Sequence, residues 1–212
     1  MRIDSIQERP DRAGRYGVKV DNGTVLRLYR QTIEDFSLYP GLELTQERMD
    51  ALLESAGAYS AKMRAVRIVS ASSVSAKTLK RRLIDKGEDP GQAQAAVSWM
   101  EELHLVDDRE TAAQIVSGCI AKGYGVRRAR QVLYEKQIPK DIWDEVLKDY
   151  PDQTEYIDKY LRAKLPPNAD PKLCKRAIDG LIRRGHSYGA IRRAMERMGA
   201  DAEEFQEEET WR

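Results

Sequence analysis

The sequence predicts an all-α protein: a tandem array of three three-helix repeats, elongated and curved, behind a small N-terminal region with a β-hairpin and a helix. Two recurrences and one absence predict it. A leucine, a base three residues later and then a helix stop recur as LIDKG (83–87), LYEKQ (133–137) and LIRRG (181–185), with stops spaced 50 and 48 residues apart. Nine and ten residues after each stop comes a small or apolar pair: Ala96/Val97, Val146/Leu147 and Ala194/Met195. Spacing and residue type recurring together mark a helical array, whose units bury too little singly and must stack on neighbours. The absence is of strand patterning: from Ala61 onward only helical segments follow, divided by short Gly, Pro and Asp punctuation. Aromatic residues make up only 7% of the chain, so a core of Leu, Ile, Val, Ala and Met in thin helical layers is expected.

The N-terminal region is assigned to 1–58. Within it, residues 15–30 (RYGVKVDNGTVLRLYR) read as a hairpin turning at Asn22-Gly23. A two-residue loop would oppose Val18 to Arg27 and mix the faces. A three-residue loop that pairs Val20 with Leu26 and Val18 with Leu28 gives one apolar face, so an odd loop with a glycine bulge is expected. Residues 45–57 (TQERMDALLESAG) predict a helix capped by Thr45 and stopped at Gly57.

Repeat 1 spans 59–107, repeat 2 spans 108–150 and repeat 3 spans 151–199. Asp89-Pro90 and Asp170-Pro171 each place a cap before a first-turn proline, and Ser75 and Ser187 are further N-caps. Asp107 with Glu110 has capping-box spacing, Pro139 fits a first turn, and Pro166-Pro167 closes a segment. An acidic tail, 200–212, carries six acids against one base, whereas repeat 3 carries 11 bases against 6 acids.

Composition excludes several classes. The chain is 33% charged but nearly balanced at +1, which fits solvated, salt-bridged faces rather than a disordered polyelectrolyte. No apolar run approaches the roughly 20 residues of a membrane span, and MRIDSIQERPDR has no signal-peptide core. Cys119 and Cys174 lie in apolar helical patterns and read as buried thiols in a reducing cytoplasm. Neither His104 nor His186 has a partner at metal-ligand spacing, and the glycines of GCIAKGYG fall between helices with no strand before them. Asp107-Asp108 could hold a metal in a nuclease, but helix capping accounts for the pair more simply. No enzymatic activity and no cofactor are therefore expected.

The basic clusters are the candidate site. Lys80, Arg81, Arg82 and Lys86 lie on the middle helix of repeat 1, and Arg127, Arg128, Arg130 and Lys136 on that of repeat 2. Arg183, Arg184, Arg192 and Arg193 run through repeat 3. Stacked repeats would align these bases into a stripe suited to phosphate oxygens or an acidic protein groove. Tyr124, Tyr134 and Trp143 lie nearby, where base stacking is conceivable but helix packing is the better reading for Tyr134 and Trp143.

Several of these segments resemble the RecX family, regulators of the RecA recombinase: the hairpin, LKRRLIDKG (79–87), HLVDDRETA (104–112), YGVRRARQVLYEKQIPKDIWDEVL (124–147) and LIRRGHSYGAIRRAM (181–195). HLVDDRETA resembles the family's Gly-Leu-Ile-Asp-Asp-x-x-Phe-Ala signature, with Thr111 in place of Phe. Gln137 stands where the family has the glycine of its second Lys-Gly-Ile, and Ser72 and Val74 stand where it has two arginines. The resemblance implies a curved, modular regulator that binds the RecA–single-stranded-DNA filament, directly to DNA or through RecA. It implies inhibition of filament extension, strand exchange and ATP hydrolysis with no chemistry of its own. The alternative is a helical DNA-binding protein acting without RecA. A monomer is expected, since no coiled-coil heptads are present.

Overall fold

The computed structural model describes residues 1–167 and 169–199; the acidic segment 200–212 lies outside the described residues. The N-terminal residues build a sheet of three antiparallel strands, β1 (Ile3–Ile6), β2 (Arg15–Val20) and β3 (Val25–Tyr29), in the order β1-β2-β3. Pairing Ile3 against Val20 answers how a marginal hairpin is supported, with a third strand that the sequence reading did not include. The loop has the expected three residues, Asp21 to Gly23, but the register differs from the expected one: Val18 faces Leu26 and Tyr16 faces Leu28. The third loop residue needs positive φ, which Gly23 supplies at 84° and β-branched Thr24 would resist. The shift is even, so the apolar face is unchanged: Val18, Val20 and Leu28 are buried on it.

That face packs on Leu38, Leu44, Met49 and Leu52 beneath α1 (Arg30–Asp35) and the start of α2 (Gln46–Ala71). Thr45 caps α2 as expected, its hydroxyl accepting from the Arg48 amide at 3.2 Å. The expected stop at Gly57 is absent, and α2, 26 residues long in all, runs on across the 58/59 division. Gly57 instead admits a neighbour. A Cβ there would come within 2.4 Å of the Gln92 amide, whose Nε2 donates to the Glu54 carbonyl.

The second half of α2 is the first helix of repeat 1. Its Ala61 and Ala65 pack with Leu79 and Leu83 of α3 (Ala76–Asp85) and with Ala96, Val97 and Met100 of α4 (Pro90–Glu102). Repeat 2 comprises α5 (Asp108–Ala121), α6 (Val126–Glu135) and a 3-10 turn (Lys140–Ile142) that leads into α7 (Trp143–Leu147). Repeat 3 comprises α8 (Thr154–Lys164), α9 (Pro171–Arg183) and α10 (Tyr188–Arg197). Ser75, Asp89, Asp170 and Ser187 cap their helices through side-chain oxygens, as expected. Asp107 sits directly before the first residue of α5, whereas Pro139 precedes the 3-10 turn rather than entering a helix. Gly118 lies inside α5, not between helices.

The three aligned stops share one geometry. Gly87, Gln137 and Gly185 have φ of 88°, 58° and 86°. In each repeat the following amide bonds back to the carbonyl of the aligned leucine: Glu88 to Leu83, Ile138 to Leu133 and His186 to Leu181. These are Schellman closures, which satisfy carbonyls that the helix end would otherwise orphan. The leucines are fully buried, and so are Ala96/Val97 and Ala194/Met195 of the trailing pairs. The chain divides into two compact units, Met1–Asp107 and the described residues from Asp108 onward.

Candidate functional site

One step past each buried leucine the middle helix turns a side chain outward, and in all three repeats it is apolar. Ile84, Tyr134 and Ile182 are 38%, 67% and 46% exposed. A base lies two residues further on in each repeat: Lys86, Lys136 and Arg184. Seven residues before the apolar position stands another exposed base: Lys77, Arg127 and Lys175. The exposure of Tyr134 corrects its assignment to helix packing. Trp143 does pack as expected, half-buried on the repeat 2 core, with Nε1 donating to the Ile138 carbonyl at 3.1 Å. The periodicity explains both faces: leucine and its successor are about 100° apart on a helix, so when one faces inward the next reaches the surface.

The predicted bases differ in what they already hold. Arg81, Arg82 and Lys86 are exposed and Lys80 is half-buried, none paired with a carboxylate among the described residues. Arg127, Arg183 and Arg193 are likewise exposed and unpaired there, and Lys136 is exposed. Arg128 is bound to Glu135 at 3.0 Å, Arg130 lies 3.5 Å from Asp144 and Arg192 3.2 Å from Glu196. Arg184 is turned inward: its guanidinium carbon sits 5.9, 5.7 and 5.5 Å from the ring centres of Tyr124, Tyr156 and Tyr160. Cation–π contact with three rings makes it a packing element of the second unit.

Arg184 belongs to a joint between repeats 2 and 3. The α5–α6 turn meets the α9–α10 turn backbone to backbone, the Gly125 amide donating to the Arg184 carbonyl at 2.9 Å. A Cβ on Gly125 would lie 2.2 Å from the Gly185 carbonyl oxygen, and one on Gly185 would lie 2.3 Å from the Arg128 nitrogen. His186 is buried here, Nε2 lying 3.0 Å from the Gly123 carbonyl. Burial above all pushes its pKa down, the Gly123 hydrogen bond opposes this, and Arg184 adds to the lowering. The neutral ring therefore carries its proton on Nε2 and donates it to that carbonyl. The Tyr150 hydroxyl donates to the Tyr124 carbonyl at 2.6 Å, and burial pushes this phenol up to about 12. Both cysteines are buried, and burial pushes the Cys119 thiol up, away from the reactive thiolate.

A second basic region was not foreseen. Arg15, Arg64 and Arg67 line a cleft in the first unit with Arg82 and Lys86. Arg64, Arg67, Ile68 and Ala71 share the spacing of one helix face, the only sequence signal that could have found it. Ser72, at one of the positions where the resemblance has arginine, lines this cleft, while Val74, at the other, is buried in the repeat 1 core. Among the described residues no group of three or more His, Cys, Asp or Glu could hold a metal ion. No described helix is long and apolar enough to cross a membrane.

The family model for "RecX, second three-helix domain" matches residues 107–147. A regulatory protein RecX of Chlorobaculum tepidum is 32% identical over 133 residues, covering 60% of this chain and 81% of that protein. One from Clostridioides difficile is 23% identical over 202 residues, covering 92% and 95%. A crystal structure of a regulatory protein RecX aligns at TM-score 0.64 with 20% identity, over 92% of this chain and 98% of that one. RecX from Lactobacillus salivarius aligns at 0.58 with 17% identity, over 68% and 98%.

Proposed function

We propose, from the premise that this chain belongs to the RecX family of regulatory proteins, that it binds the RecA filament on single-stranded DNA and restrains its extension and ATP hydrolysis. It acts by occupying surface, not by chemistry. One observation carries this reading: each repeat presents the same exposed apolar residue (Ile84, Tyr134 or Ile182) two helical turns after an exposed base (Lys77, Arg127 or Lys175). A motif offered at equivalent positions suits a partner that itself repeats, as a filament of identical subunits does. The apolar residue supplies buried area, and the bases supply complementarity to acidic protein surface or phosphate.

The test is RecA-dependent ATP hydrolysis on single-stranded DNA, titrated with the chain at substoichiometric ratios. Inhibition well below one-to-one is expected. The combined Ile84→Ser, Tyr134→Ser and Ile182→Ser substitutions leave the buried leucines intact and should raise the half-inhibiting concentration by about tenfold or more, since interface anchors cost upwards of about 1 kcal/mol each. Unchanged inhibition by the triple variant refutes the repeated motif, and no inhibition by the native chain refutes the filament. A second reading, direct binding to single-stranded DNA without RecA, is favoured by the exposed Arg127, Arg183 and Arg193, which pair with no carboxylate among the described residues. It would appear as DNA binding with RecA absent.

A further inference from the structure

The cleft in the first unit is built differently from the helix-face bases. It has a volume of about 670 Å³ and lies where the sheet meets α2 and α3. Three of its five cations are braced by neighbouring groups. Arg15 is gripped by Asp11 through Nε at 3.1 Å and Nη2 at 2.9 Å. Asp11 accepts from the Arg15 backbone amide and side chain, which hold its carboxyl down to about 2, so the pair persists across ordinary pH. Arg64 spends Nε on Glu88 at 2.7 Å and Nη1 on the Lys86 carbonyl at 3.0 Å. Arg67 uses Nη2 alone, donating to the Ala13 carbonyl at 2.8 Å and the Tyr29 hydroxyl at 2.6 Å. Its guanidinium carbon lies 5.9 Å from the Tyr29 ring centre.

Arg82 in the last turn of α3 and Lys86 at its C-cap complete the wall and pair with no carboxylate among the described residues. Among the described residues, five cations and a single carboxylate, that of Asp85, therefore line the space. Even after Asp11 and Glu88 are counted against their partners, the cleft keeps a net positive charge of two. Bracing arginines around an open volume with hydrogen bonds pre-pays the ordering that a surface ion pair must pay on binding. Braced guanidinium forks converging on one space match the several oxygens of a phosphate.

We propose that this cleft is a phosphate-binding site that takes a nucleotide phosphate, either from a nucleic-acid backbone or from a free nucleoside phosphate. The site goes beyond the filament reading and needs no recombinase.

The test is fluorescence anisotropy of a labelled oligothymidylate with the full chain, at several salt concentrations and without RecA. The double substitution Arg82→Gln and Lys86→Gln removes only exposed, unpaired cations. It should weaken binding roughly tenfold or more. It should also lower the salt slope by about 1.4, at roughly 0.7 for each single-strand phosphate that is no longer neutralised. Tyr29→Phe keeps the ring but removes one of the two acceptors that brace Arg67, and it should weaken binding in the same direction. Displacement of the oligothymidylate by ATP or inorganic phosphate assigns the site to free phosphates. Loss of binding in the variants with no such displacement assigns it to the strand backbone. Equal affinity and slope in native and variant chains would overturn the site. Displacement by polyglutamate as readily as by unlabelled oligothymidylate would overturn it as well, since the cleft would then be reading acidic protein.

Discussion

Gln137 should be the weak member of the three helix stops, and Gln137→Gly should stabilise the protein. The residue holds φ at 58°, in the left-handed region, where its counterparts Gly87 and Gly185 have no Cβ to clash. A Cβ there costs about 1–2 kcal/mol. Glycine's greater freedom in the unfolded chain takes back about 0.5–1 kcal/mol, leaving a gain near 1 kcal/mol. The side chain itself is close to neutral. Two methylenes contribute about 0.8 kcal/mol each if fully buried. The Oε1 is buried without a hydrogen-bond partner, and such a group costs about 1–3 kcal/mol. Gln137→Ala is the discriminating control, because it removes the side-chain terms and keeps the backbone strain. Thermal unfolding followed by circular dichroism should place the glycine variant roughly 4–8 °C above the alanine variant for a cooperative unit of about 100 residues. A glycine variant no more stable than the alanine one would refute the strain argument, whatever either does relative to the native chain.

Two further outcomes follow from the joint between repeats 2 and 3. Gly125→Ala and Gly185→Ala press a methyl group into backbone and should each cost roughly 2–3 kcal/mol in urea unfolding. Gly118→Ala, in open space within α5, should gain about 0.5–1 kcal/mol; if Gly125→Ala proves as harmless as Gly118→Ala, the two turns do not meet. His186 provides a pH signature. Its folded pKa is lowered from 6.5, so the unfolded chain takes up the proton first. The stability it contributes is present above 6.5 and lost as pH falls from there through the folded value. His186→Gln should flatten that part of the stability profile, and an unchanged decline would assign it to other groups.

The repeat was legible in the sequence because one physical demand is written three times. Each middle helix must end in a left-handed residue whose successor bonds back to a buried leucine, and that fixes leucine, base and stop at set intervals. The caps were legible for the same reason: Thr45, Ser75, Asp89, Asp170 and Ser187 act on amides two or three residues away. What local pattern could not supply was the identity of distant neighbours. Gly57 looks like a stop, but Gln92, 35 residues on, fills the space it leaves and the helix continues. β1 is short and polar on one face, and it reads as strand only once β2 is beside it. The hairpin register depended on which loop residue could take positive φ, which is a stricter test than matching apolar faces.

The candidate site divides along the same line. A count of bases on helix faces finds Arg82, Arg127, Arg128 and Arg184 alike, yet they do different things. Arg184 is spent on three tyrosines brought together from α8 and the α5–α6 turn, and Arg128 is spent on Glu135. Arg82 is unspent and faces the same cleft as Arg64 and Arg67, whose own partners come from as far away as residues 13 and 29. Charge is a property of composition, but availability is a property of tertiary pairing, and pairing does not follow the repeat. The exposed apolar residue does follow it, because it is set by the helix period relative to the buried leucine. The features most worth mutating are therefore of two kinds. Ile84, Tyr134 and Ile182 could be read from the repeat itself, whereas the braced arginines of the first unit could be found only by folding it.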